Sequence, residues 1–136
     1  MNKIETKILR GELKYHNTVV LTYKITYPEI TSPNCFGIDI FNRYNKNKAL
    51  KLEKYTKEVL YKDAVDLYKY NTANGYPTMK YEVYSEFEIT YNKNDLISLY
   101  YDQYIFSGGA HGNTIRSSQT WNLCTRRTTR FMLFLS

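Results

Sequence analysis

Residues Asp95–Leu123 read DLISLYYDQYIFSGGAHGNTIRSSQTWNL, and their pattern decides the fold. A Tyr-rich apolar run, Leu96 to Phe106, meets Ser107-Gly108-Gly109-Ala110-His111-Gly112, and a second extended run leaves from Asn113-Thr114. Glycine tolerates backbone angles that a Cβ resists, so three glycines in five residues predict a tight, shaped turn between two strands. In the first strand Ile97, Leu99, Tyr101 and Ile105 fall on one face, and Leu96, Tyr100, Tyr104 and Phe106 on the other. Apolar character on both faces predicts a central strand.

The same logic extends outward in both directions. Tyr81, Val83, Ser85, Phe87, Ile89 and Tyr91 alternate with Lys80, Glu82, Tyr84, Glu86, Glu88 and Thr90, a strand with a solvated acidic side. Asn92-Lys93-Asn94-Asp95 has the composition of the turn joining it to Leu96. Further upstream the period changes. From about Phe36 to Tyr70 apolar residues recur at three- and four-residue spacing (Ile38, Phe41, Tyr44, then Leu52, Tyr55, Val59), which predicts one long helix, with Asn45-Lys46-Asn47 the place where it would kink. Before it, Val19, Leu21, Tyr23, Ile25 and Tyr27 alternate with polar residues up to Pro28, and Ile4 to Leu13 has the mixed character of an edge strand. The order ββ-α-βββ predicts an α+β domain: a mainly antiparallel sheet of about five strands with the helix on one face. Residues 1–123 read as that single domain. The tail 124–136, with Arg126, Arg127, Arg130 and then Phe131-Met132-Leu133-Phe134-Leu135, stands apart from the pattern.

Composition narrows the function classes. The 15 tyrosines suit sheets and half-wet surfaces, because each ring has an apolar body and a polar tip. The net charge of +6 is concentrated in the tail arginines, and without them the 19 basic residues shrink to a small excess over 13 acidic ones. No basic stripe accompanies a nucleic-acid motif, so nucleic acid is not expected as a partner. No run of about 18 apolar residues occurs, so no membrane helix is expected in this chain, and charged residues interrupt any leader-like start. Cys35 and Cys124 lie far apart without metal-ligand spacing, and their pairing is left open.

His111 is the one residue beside a shaped loop that could perform acid–base chemistry. Such a histidine needs a nucleophile or an orienting carboxylate, and neither a G-x-S-x-G elbow nor an HExxH motif accompanies it. The bland role, a turn residue bonding loop carbonyls, is preferred, and no catalytic residue, metal or cofactor is expected. A rigid hairpin tip does suit recognition, since little entropy is lost on docking. The candidate binding residues are Tyr101, Tyr104, Phe106, Ser107, Gly108, Gly109, His111, Gly112 and Asn113.

Several of these stretches together carry a family resemblance. Tyr27-Pro28-Glu29-Ile30, then Phe41-Asn42 with Tyr44, then YDQYIFSGGAHGN at 101–113 and Thr120-Trp121-Asn122-Leu123 resemble the PdaC-like and RsiV-like domains of exported bacterial envelope proteins, over roughly residues 12–123. The resemblance implies a non-enzymatic, extracytoplasmic binding or sensor domain, secreted or anchored by a segment outside this chain. It also implies a lysozyme-like protein or peptidoglycan as partner, or alternatively an accessory role beside a wall-modifying enzyme such as a deacetylase. The chain departs from that pattern after Leu123, where Cys124-Thr125-Arg126-Arg127 replaces a Thr-Gly-Lys-type turn.

Overall fold

The computed structural model describes residues 1–32, 35–108 and 112–124, and the backbone of 130–135. Strands β1 (Ile4–Tyr15) and β2 (Thr18–Ile30) form a hairpin. His16 and Asn17 turn it with φ of 49° and 64°, the left-handed geometry that matches the twist of a two-residue hairpin. Helix α1 (Gly37–Tyr55), a π turn (Thr56–Leu60) and helix α2 (Tyr61–Ala73) follow as one rod. Strands β3 (Tyr81–Lys93), β4 (Leu96–Phe106) and β5 (Asn113–Asn122) form a meander, and β6 (Arg130–Leu135) pairs antiparallel with β5.

The sheet order is β1-β2-β3-β4-β5-β6. Every pairing is antiparallel except β2 with β3, which run parallel from Leu21 beside Tyr81 to Ile25 beside Ser85. A parallel pair needs a long crossover, and the helical rod is that crossover. The α+β class and the ββ-α-βββ order therefore hold, with β6 added at the edge. The run Cys124-Thr125-Arg126-Arg127-Thr128-Thr129 carries none of the Gly, Pro, Asn or Asp residues that signal a turn, so sequence pattern alone does not place the apolar residues 131–135.

Two details differ from the sequence expectation. The helix runs unbroken through Asn45-Lys46-Asn47, because Asn45 is fully buried and its Nδ2 donates to Phe41 O at 3.0 Å, within the helix. The irregularity falls instead at 56–60, where buried Thr56 donates its hydroxyl to Leu52 O at 2.8 Å and the helix widens by one residue. Strand β4 is central, but only its Ile97-Leu99-Tyr101 side is fully buried; the Tyr100-Tyr104-Phe106 side is half-exposed.

The core lies between the rod and one sheet face in two clusters. Leu21, Tyr23, Ile25, Val83 and Tyr81 meet Ala49, Leu60, Ala64 and Val65; Ile97, Leu99, Tyr101 and Trp121 meet Ile38 and Phe41. The start of α1 is fixed to the end of β5. Gly37 N donates to Leu123 O at 2.7 Å, Leu123 N donates to Asp95 O at 2.8 Å, and a disulfide joins Cys35 to Cys124. A Cβ at Gly37 would stand 2.6 Å from Leu123 O and 2.9 Å from its Cα. Because backbone rather than a flexible side chain blocks the space, Gly37→Ala is expected to destabilise the fold by about 2–3 kcal/mol, read as a lower urea midpoint at unchanged slope.

Candidate functional site

The sheet has two unlike faces, and alternation along β4 decides which candidate residue belongs to which. On the helix side Tyr101 is 2% exposed, and its hydroxyl donates to Asn45 Oδ1 at 2.6 Å. Gln119 Nε2 donates to the same oxygen at 3.1 Å, while Gln119 Oε1 accepts from Trp121 Nε1 at 2.7 Å. Asn45 therefore ties α1 to β4 and β5 through a buried chain of neutral polar groups, each with a partner. Burial raises the Tyr101 phenol far above its ordinary value, which keeps it neutral.

The other face carries Tyr84 and Tyr104, stacked with centroids 6.2 Å apart and rings 15° from parallel. Arg116 makes a two-pronged bond to Asp102, Nε to Oδ1 at 2.8 Å and a second nitrogen to Oδ2 at 2.9 Å, and lies 4.2 Å over the Tyr100 ring. Tyr100 donates its hydroxyl to Glu88, and Lys24 lies 3.8 Å from Glu86. Arg116 holds the Asp102 carboxyl below its usual range. This face has a depression of about 460 Å³ among Tyr84, Glu88, Tyr100 and Tyr104, yet its charges are mostly satisfied within the face.

The candidate binding residues accordingly do not form one surface. Tyr101 points into the core and Tyr104 to the opposite side, so the two cannot flank a single ligand. Half-buried Phe106 shares the Tyr104 face. Ser107 and Asn113 border a cleft on the helix side. Gly108, at φ 81°, sits so close to α2 that an added Cβ would lie 2.7 Å from Leu67 Cδ2. At Gly112 the same atom would strike the Tyr104 ring, so glycine there lets that ring lie over the backbone. Gly109 and His111 fall outside the described residues.

The cleft itself was not anticipated. One part, about 450 Å³, is bordered by Tyr44, Asn47, Lys48, Lys51, Leu52 and Gln103. A neighbouring part of about 290 Å³ shares Gln103 and continues past Tyr55 and Asp63 to Ser107 and Asn113 at the base of the Gly-rich hairpin. Tyr44, Lys48, Lys51 and Leu52 recur at three- and four-residue spacing, one stripe of α1 beside the stripe that enters the core. That stripe was legible as a helix face, but not its distance from β4. Among the described residues the metal-like grouping is Cys35, Asp95 and Cys124, whose two sulfurs are joined to each other and so unavailable as thiolate ligands.

Tyr23 anchors the other side of α1, donating to Glu53 Oε2 at 2.9 Å. Burial first, and the Glu53 bond second, push its phenol up to about 12. The folded chain thus keeps a proton that an unfolded tyrosine releases near 10.0, so this stabilisation is present below that pH and is lost as pH rises toward about 12. Urea midpoints measured across that interval should fall with pH, and Tyr23→Phe should flatten the slope.

Fold and site together define a one-helix-layer α+β domain with a lateral cleft and an open tyrosine-bearing face. Residues 15–114, most of the chain, match the family model described as Deacetylase PdaC, and the chain belongs to that family. A crystal structure of a DUF3298 family member from Bacteroides fragilis aligns at TM-score 0.57 and 16% identity over 89% of this chain and 56% of that one. A DUF3298 protein from Pseudomonas aeruginosa aligns at 0.53 and 12%, over 94% and 56%. The chain thus spans little more than half of those structures, and at these identities the likeness shows the fold alone. No curated protein matches the chain.

Proposed function

We propose that this domain is a non-catalytic binding module of a bacterial cell-envelope protein, working outside the cytoplasm and engaging a wall component or a lysozyme-like protein. The observation that carries the reading is the cleft between α1 and β4. Its two adjoining parts have the size of ligand pockets, and its described polar groups are amides, hydroxyls, two lysines and a carboxylate. The Cys35–Cys124 disulfide supports an oxidising compartment, where such bonds persist. Net charge of +6 favours an anionic wall polymer over a lysozyme of the basic type, because like charges slow encounter.

A second reading has one observation in its favour. The family description names a deacetylase, and an accessory domain that holds substrate for such an enzyme would need the same cleft. Co-sedimentation of the chain with purified insoluble peptidoglycan, alongside calorimetric titration with lysozyme, tests the binding reading. Saturable retention on the wall material is expected. Absence of binding to both would overturn the proposal. Full-length sequence context then separates the two readings: an adjoining deacetylase domain supports the accessory role, and a lone N-terminal membrane helix supports the sensor.

A further inference from the structure

We infer that the Lys48–Lys51 end of the cleft is a subsite for a carboxylate group carried by an otherwise neutral organic ligand. The inference rests on the binding reading above and names the chemistry of one part of it.

The argument begins with where Lys48 is held. Its ammonium lies 5.0 Å from the centroid of the core Tyr101 ring, and Lys48 is half-buried at the edge of the cleft. That ring cannot swing away, because its hydroxyl is committed to Asn45 in the core. Partial burial costs a cation hydration, and it lowers the Lys48 pKa. A half-buried cation is ordinarily compensated by an anion, yet among the described residues no carboxylate lies within ion-pair distance of Lys48 or of its exposed neighbour Lys51. The acid nearest in sequence, Glu53, is occupied by Tyr23 at 2.9 Å and by Lys57 at 3.9 Å. Tyr101 beneath is neutral, and Gln103 and Asn47 beside it are neutral amides. Lys48 and Lys51 thus border a depression of about 450 Å³ whose other described lining residues, Tyr44, Asn47, Leu52 and Gln103, include no carboxylate.

A carboxylate fits that vacancy of charge better than a phosphate does. Phosphate sites draw on Arg forks or on free N–H groups at a helix N-terminus. Residues 44–52 lie within α1, which spans Gly37–Tyr55, so their N–H groups are engaged in the helix, and among the described residues no arginine borders the cleft. A monoanion can instead bridge the two ammonium groups and accept from the amides of Asn47 and Gln103, with Leu52 and Tyr44 against its carbon frame.

Lys48→Met supplies the test, because it removes the charge while keeping a long apolar chain over Tyr101. Amide shifts of the ¹⁵N-labelled chain would be followed while acetate, its neutral isostere acetamide, or inorganic phosphate is added at constant ionic strength. Acetate is expected to give saturable shifts confined to residues 44–52 and 103, at least tenfold weaker in Lys48→Met, with acetamide giving none. Lys48→Met should also match or exceed the parent's thermal midpoint, since an uncompensated charge has been removed. If that variant does not fold, Lys51→Met carries the same expectation. Equal response to acetate and acetamide, unchanged acetate binding in a folded lysine variant, or phosphate binding as tight as acetate would each overturn the assignment. Acetate binding here without binding to either wall material or lysozyme would leave this subsite standing and remove the envelope-binding reading; the reverse result would do the opposite.

Discussion

Replacing Asn45 by alanine should lower the unfolding free energy by about 3–5 kcal/mol, among the larger losses a single side chain can cause in a domain of this size. Asn45 is fully buried, and its one carbonyl oxygen accepts from both Tyr101 and Gln119. Truncation leaves two buried donors without an acceptor, and Gln119 also loses the support that aims its own oxygen at Trp121. To the cost of those unmade bonds is added the void left by the amide. Urea unfolding followed by far-UV circular dichroism measures the effect. A double-mutant cycle with Tyr101→Phe identifies its origin: removing the orphaned hydroxyl should recover part of the loss, so the pair costs less than the sum. A loss under about 1 kcal/mol for Asn45→Ala would mean the donors find other acceptors, and the network would lose its structural importance.

The disulfide should have an effect of similar size. Cys35 and Cys124 are separated by 89 positions, and a cross-link closing so long a loop restricts the unfolded chain by about 4–5 kcal/mol in the chain-entropy account. The expected loss for Cys35→Ser with Cys124→Ser is about 3–5 kcal/mol. The bond lies beside Gly37–Leu123, so its removal should also loosen the start of α1, seen as faster amide exchange at Ile38 and Phe41 than in the core strands. A matching drop in the urea midpoint of the parent chain under reductant would show that the bond, not the substituted serines, is responsible. Unchanged midpoints in both comparisons would count against any stabilising role.

What the sequence revealed and what it concealed divide along physical lines. Alternation at 81–91 and around 97–105 was enough to place β3 and β4, because each strand buries one face against the same helical layer. The long helix was equally plain from its three- and four-residue spacing. The same rule of two already sets Tyr101 and Tyr104 on opposite faces, since residues three apart on a strand face opposite sides; placing both in one candidate surface follows their proximity along the chain instead. In sequence Asn45-Lys46-Asn47 marks a kink, because asparagine disfavours helix interiors, and only the tertiary partners Tyr101 and Gln119 reverse that preference at Asn45. The cleft was invisible for a related reason. It exists between α1 and β4, and no local pattern reports the gap between two elements distant in sequence.

Trp121 gives the buried network an optical consequence. It is the one tryptophan in the chain, 1% exposed, with Phe41 and Tyr44 of α1 packed edge-on at 5.4 and 5.6 Å. Its indole emission is therefore a single-site report on the contact between the first half of the helix and the far strands of the sheet. A shift of that emission to longer wavelength before the circular dichroism changes would mark a state in which the helix has undocked but not melted. Events confined to the open tyrosine face should leave the signal dark.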